Sequence, residues 1–160
     1  MNIDDFTKEY DAIFERALII SIITRSMGMI WVANLLDEKK SNKRDIFEYG
    51  MNLAKDGKSP EMTDKILSNI INLEMDIDRK LLKTIQKDAV LSIQKSVNTD
   101  DLVLILNSHV NLDLDVSKKR HMELEKRIST VVVKEFYLAQ EKNNELHKRV
   151  SKEIADVFKK

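Results

Sequence analysis

Helix breakers are nearly missing from this sequence. Three glycines and a single proline stand among 160 residues, while Leu, Ile, Lys, Glu and Met predominate. Glycine and proline oppose a continued helix most strongly, by about 1 and about 3 kcal/mol relative to alanine. Their scarcity leaves long stretches of good helix formers, which predicts an all-α fold. The expected architecture is a bundle of four to five helices, including one or two long ones. The length of 160 residues is enough to bury a real core.

Apolar spacing of three and four residues places those helices. The first runs from residue 3 to residue 36, with Phe6, Tyr10, Ile13, Phe14, Ala17 and Leu18 on one face. A second spans residues 43–55 and turns Ile46, Phe47, Gly50, Met51 and Ala54 inward. Asp56-Gly57-Lys58 reads as a turn in which the glycine takes positive φ. Ser59-Pro60-Glu61 is the sharpest local signal. The serine caps, the proline suits the first helical position, and the glutamate faces the positive helix end. A third helix then meets no strong stop until Ser96, with a bend expected near Asp76-Ile77-Asp78. Its stripe reads Met62, Ile66, Ile70, Leu73, Ile77, Leu81, Ile85, Ala89 and Ile93.

Thr99-Asp100-Asp101 opens a short fourth helix to His109, and residues 111–115 read as a loop. Ser117 then caps a final helix carrying Leu124, Ile128, Val131, Leu138, Leu146, Val150, Ile154 and Val157. Glu135 and Lys142 interrupt that stripe, which makes it a poor sustained heptad. Residues 1–117 therefore read as one helical domain, and 118–160 as a long helix packed on it or used for association. A weak repeat at an offset of 40 aligns Leu53 with Ile93, Ser59 with Thr99, Glu61 with Asp101 and Ile66 with Leu106. It suggests two similar hairpins.

Charge and composition exclude several functions. Lys plus Arg and Asp plus Glu both number 27, for a net charge of zero. General nucleic-acid binding, which neutralises many phosphates with cations, is not expected. Residues 118–160 hold 12 basic against 7 acidic side chains, leaving 15 against 20 in residues 1–117. That asymmetry favours contact between the two parts or with a partner, although a solvated helix face explains it too. The acidic opening (Asp4, Asp5, Glu9, Asp11) is unlike a signal peptide. Residues 17–36 are long enough to span a bilayer. Arg25 in that stretch would cost about 2.5–3.5 kcal/mol in a membrane, so a buried helix is expected, with peripheral attachment left open.

Catalytic chemistry has little to work with. Cysteine is absent, which removes disulfides and thiolate ligands. His109, His121 and His147 are far apart and form no metal-binding spacing. Glu74, Asp76 and Asp78 are two residues apart and cannot converge from one helix. No glycine-rich phosphate loop or nucleophile elbow is present. The expectation is a non-enzymatic protein with no metal and no cofactor. Trp31 beside Met29 suits either an interface or a core. Arg25 is harder to place, since a cation on an apolar helix must snorkel, find an acidic partner or be presented for binding.

Arg25-Ser26-Met27-Gly28-Met29 resembles the segment just past the second transmembrane helix of MotA-type flagellar stator subunits, in the MotA/TolQ/ExbB family. Residues 46–74, with Asp56-Gly57-Lys58-Ser59-Pro60-Glu61, are similar to that family's next cytoplasmic helices. Residues 81–110, with Ala89-Val90-Leu91-Ser92-Ile93-Gln94, resemble its tail. The resemblance implies a soluble, cytoplasmic adaptor of the flagellar motor, at the inner face of the membrane or free of it. Its partners would be stator proteins or the rotor switch proteins. Arg25 is the contact it implies, with Lys39, Lys40, Lys43 and Arg44 as additions. Two departures matter. Few residues stand between Glu74 and Leu81, where the family has two more membrane helices, and Ala33 occupies the place of the family's acidic rotor contact. The alternative expectation is a homo-oligomerising helical scaffold unrelated to motility.

Overall fold

The computed structural model describes residues 1–29, 32, 45–110, 122, 123, 126, 127, 130, 134, 138, 141, 142, 144, 145, 148, 149, 152, 155 and 156. It divides into two compact units, Met1–Arg120 and His121–Lys160. The second unit is helical and exposed at its described positions, among them Met122 and Leu138.

Among its described residues the first unit packs five helices: α1 (Ile3–Met27), α2 (Ile46–Lys55), α3 (Pro60–Asn72), α4 (Ile77–Gln94) and α5 (Thr99–Asn107). No strand occurs among the described residues. Each helix opens on a side-chain cap. Asn2, Asp45, Ser59, Asp76 and Asn98 each accept a bond from the backbone N–H three residues on, satisfying a donor the helix leaves free. Helix α4 is the hub and packs against every other helix.

Two of the sequence expectations fail at helix boundaries. The first helix stops at Met27, because Gly28 takes φ 88° and its N–H returns to the Thr24 carbonyl. Met29 and Val32 are helical again, so the expected continuous helix is interrupted at that glycine. The long third helix is two helices, parted where the sequence placed only a bend. Residues 73–76 leave the helical path and Asp76 caps a fresh start. The break resets the helical register. Thr63, Leu67 and Ile71 face inward on α3, whereas the predicted Met62, Leu73 and Ile77 lie outside at 50, 81 and 83% exposure. Past the break, Ile85, Ala89 and Ile93 are buried as expected.

The second helix starts at Ile46, with Ile46, Phe47, Gly50 and Met51 buried and Ala54 half-buried. Lys43 and Arg44, expected in its first turn, lie outside the described residues, as do the loop at 111–115 and the cap at Ser117.

The repeat is real in the fold, but its offset is 39. The α2–α3 corner carries Asp56, Gly57 and Lys58, whose N–H groups return to Asn52, Ala54 and Leu53. The α4–α5 corner carries Lys95, Ser96 and Val97, returning to Leu91, Ile93 and Ser92 in the same scheme. Gly57 (φ 75°) matches Ser96 (φ 57°), and the cap Ser59 matches Asn98 rather than Thr99. Burial follows the same register: Ile46 with Ile85, Thr63 with Leu102 and Leu67 with Leu106 are all fully buried.

At Gly50 side chains from α3 and α4 close down on helix α2. A Cβ there would stand 2.9 Å from Leu67 Cδ1 and 2.9 Å from Val90 Cγ1. This explains a glycine in the middle of a helix, where it otherwise costs about 1 kcal/mol. At the side of the bundle, Arg16 ties α1 to the start of α2. Its guanidinium pairs with Asp45 at 2.7 Å and lies 4.8 Å from the centre of the Phe47 ring.

Candidate protein-docking surface

Of the five cations predicted to contact a partner, Arg25 alone falls within the described residues. It is exposed in the last turn of α1, where a cation meets the negative end of the helix. That position resolves the puzzle of a charge on an apolar helix, since the helix ends two residues later. Lys39, Lys40, Lys43 and Arg44 lie outside the described residues.

A different surface stands out, and it is built by the break between α3 and α4. Leu73, Met75 and Ile77 are 81, 91 and 83% exposed, on a connection that is tightly held. The Glu74 carboxylate organises it. One oxygen accepts the N–H groups of Met75 (3.1 Å) and Asp76 (3.2 Å), and the other accepts Lys83 Nζ at 2.6 Å. The Lys83 ammonium, followed by those backbone donors, holds the Glu74 carboxyl below the usual carboxylate range. Leu73 and Glu74 donate back to the Ile70 and Ile71 carbonyls, and Asp76 Oδ1 accepts from Arg79 N. Three apolar side chains thus stand in water on a backbone with little freedom left.

Helix α1 runs beside this tip. The Met1 amino group lies 3.0 Å from Asp78 Oδ2, and Met1, Asp5, Lys8, Glu9, Asp76 and Arg79 share an open cleft of about 450 Å³. Farther along, Ile3, Phe6, Tyr10, Leu81, His109 and Val110 line an apolar groove of about 280 Å³. Ile77 lies one turn before Leu81 on α4, which makes tip and groove one continuous strip.

The polar groups at the groove's inner end are already engaged. Tyr10 donates to Asn107 Oδ1 at 2.7 Å, and His109 Nε2 lies 2.7 Å from Asp88 Oδ2, which requires a hydrogen on that nitrogen. The groove therefore offers carbon to a ligand. The adjoining cleft is charged, with Asp5, Glu9 and Asp76 beside Lys8, Arg79 and the Met1 amino group. The described residues contain no cluster of three potential metal ligands and no helix long and apolar enough to cross a membrane.

Sequence reasoning missed this strip because it assigned Leu73 and Ile77 to one inward stripe running through the bend expected near Asp76-Ile77-Asp78. The signal was present in Asp76, a capping residue in front of Ile77-Asp78.

Compared with protein-family models, curated proteins and solved structures, the chain finds no match. The stator resemblance accordingly rests on the residues quoted for it. In the fold two of the three quoted stretches are helix boundaries: Gly28 ends α1, and residues 56–61 form the α2–α3 corner with its cap, while Ala89–Gln94 belongs to α4 itself. Boundary chemistry selects Gly, Ser, Pro and Glu at such places in unrelated chains.

Proposed function

We propose that this protein is a non-enzymatic docking module whose α1–α4 strip receives an amphipathic partner helix with a basic flank. The observation that carries this reading is the exposure of Leu73, Met75 and Ile77 on a connection pinned by Glu74. Exposed apolar patches on soluble proteins mark interaction sites. Rigid presentation lowers the ordering cost of binding. Fully covering the three side chains would contribute about 5–9 kcal/mol before association costs are subtracted. That scale suits a reversible contact. Asp5, Glu9 and Asp76 in the cleft beside the strip are the groups that would meet a basic flank.

The test is a fluorescence titration of the full chain with two synthetic amphipathic helices, one Leu/Lys and one Leu/Glu. The Leu/Lys helix should bind and the Leu/Glu helix should not. Met75→Asp with Ile77→Asp should abolish binding without lowering the melting temperature. Equal affinity for both helices, or an unaffected double variant, would refute the reading.

A narrower version makes the partner a flagellar stator or rotor switch protein, with Arg25 in the contact. It rests on the sequence resemblance and on the exposure of Arg25. Titration of purified stator and switch proteins against wild type and Arg25→Glu decides it. Absence of binding by wild type ends that version while leaving the docking strip intact.

A further inference from the structure

We infer that the apolar groove is the socket for one aromatic side chain of the partner helix, a tyrosine or tryptophan whose O–H or N–H bonds to His109. The inference rests on the docking reading and names the residue that anchors the partner. Every residue lining the groove belongs to the first unit. Its walls are the carbon of Ile3, Phe6, Tyr10, Leu81 and Val110. Thr7, also in the lining, has spent its hydrogen, since its Oγ1 donates to the Ile3 carbonyl at 2.7 Å. One polar atom is left over. Nε2 of His109 directs its hydrogen to Asp88 Oδ2, 2.7 Å away, which in the neutral imidazole makes Nδ1 a lone-pair acceptor. The His109 side chain is 20% exposed, and no described residue bonds Nδ1.

These features select the occupant. A lone pair calls for a donor, so a ligand carboxylate or carbonyl gains nothing there. An aliphatic side chain would strip water from Nδ1 without replacing its bond, at a cost. The volume of about 280 Å³ lies just below the roughly 300–1,000 Å³ of small-molecule pockets, which suits a single ring better than a whole cofactor. Phe6 and Tyr10 stand four residues apart on α1 and present two rings to the groove, against which a third can pack edge to face. Tyrosine and tryptophan join an apolar ring to one donor, and both are enriched at binding hot spots. The groove runs into the strip through Leu81 and Ile77, so the ring can drop in while its own helix lies along the strip.

The test uses the Leu/Lys helix made with Tyr, Phe or Leu at one central position, labelled at its end and titrated with the full chain. The Tyr helix should bind about 2–10-fold more tightly than the Phe helix, the worth of one ordinary hydrogen bond. The Phe helix should in turn bind more tightly than the Leu helix. His109→Leu keeps the groove apolar and should bring Tyr and Phe to one affinity. Ile3→Asp, at an 80% exposed position on the groove wall, should weaken both aromatic helices more than the Leu helix. Melting curves establish that each variant is folded, and the Tyr-to-Phe ratio within one variant does not depend on its stability. Equal binding of Tyr and Phe by wild type, or a preference that survives His109→Leu, overturns the inference and leaves the docking reading standing. Binding of free p-cresol that needs His109, with no preference among the helices, gives the site to a small phenol and overturns the side chain as occupant. If no helix binds wild type, the docking reading falls and takes this inference with it.

Discussion

The two hairpins of the first unit, α2–α3 and α4–α5, share one plan and differ in the residues that execute it. Both corners return three N–H groups to the same carbonyl pattern, and both caps accept from the third residue on. The first hairpin uses glycine twice, at Gly50 for a close approach and at Gly57 for a left-handed turn. The second has Ala89 and Ser96 at the matching places. Serine at φ 57° carries strain that glycine avoids, of about 1 kcal/mol. The difference teaches that backbone bonding and burial register define the corner, while residue identity sets how much strain it holds.

The comparison can be broken most severely at its shared core. Leu67→Ala and Leu106→Ala remove matched, fully buried side chains, and each should cost about 2–5 kcal/mol in denaturant unfolding. A large inequality between them would show that the hairpins do not share a core register. Gly50→Ala is next. The new methyl meets Leu67 and a stiff Val90 at 2.9 Å, so overpacking outweighs the gain in helix propensity, for a net loss of about 1 kcal/mol. Ala89→Gly, at the matching place, should also destabilise, but through propensity and a small void.

The turns should respond with opposite signs. Gly57→Ala forces a Cβ into positive φ and should destabilise by about 1 kcal/mol, whereas Ser96→Gly should stabilise by a similar amount. Thermal melts of both read the signs directly, and a destabilising Ser96→Gly would remove strain from the account.

The smallest effect is acid sensitivity, and it belongs to the first hairpin. Lys87 Nζ donates to Asp64 Oδ1 at 2.8 Å and holds that carboxyl below its usual range. The matching position in α5 is the buried Val103. A depressed carboxylate contributes stability that is complete above the ordinary carboxylate range and is lost as pH falls through the folded value. Asp64→Asn should therefore flatten the acid limb of the stability curve. It should cost about 0.5 kcal/mol or less at neutral pH, because the pair is half in water. An acid limb unchanged by the substitution would place the sensitivity elsewhere, Glu74 being the next carboxylate held low.

Much of the bundle was legible in the sequence because capping and periodicity are local. Ser59-Pro60, Gly57 and the inward faces of α1 and α2 are set by residues within a turn of each other. The α3–α4 break was not legible from periodicity. Ile70, Leu73, Ile77 and Leu81 keep helical spacing straight through it, and spacing alone cannot show that the helix on each side packs a different face. Nor did the sequence reveal the exposed apolar strip. Its members come from residues 3–10, 73–81 and 109–110, and they meet only when α1 packs along α4.

By itself, then, the sequence determined helical class, cap positions and charge asymmetry, each a property of neighbours along the chain. Tertiary structure decided which faces pair, and so which apolar residues had no core left to enter. Leu67 and Leu73 show this within one stretch of chain, the first fully buried and the second 81% exposed. Side chains of equal hydrophobicity part company there because burial needs a facing surface, and packing against α2 and α4 supplies one only on the Leu67 side of α3.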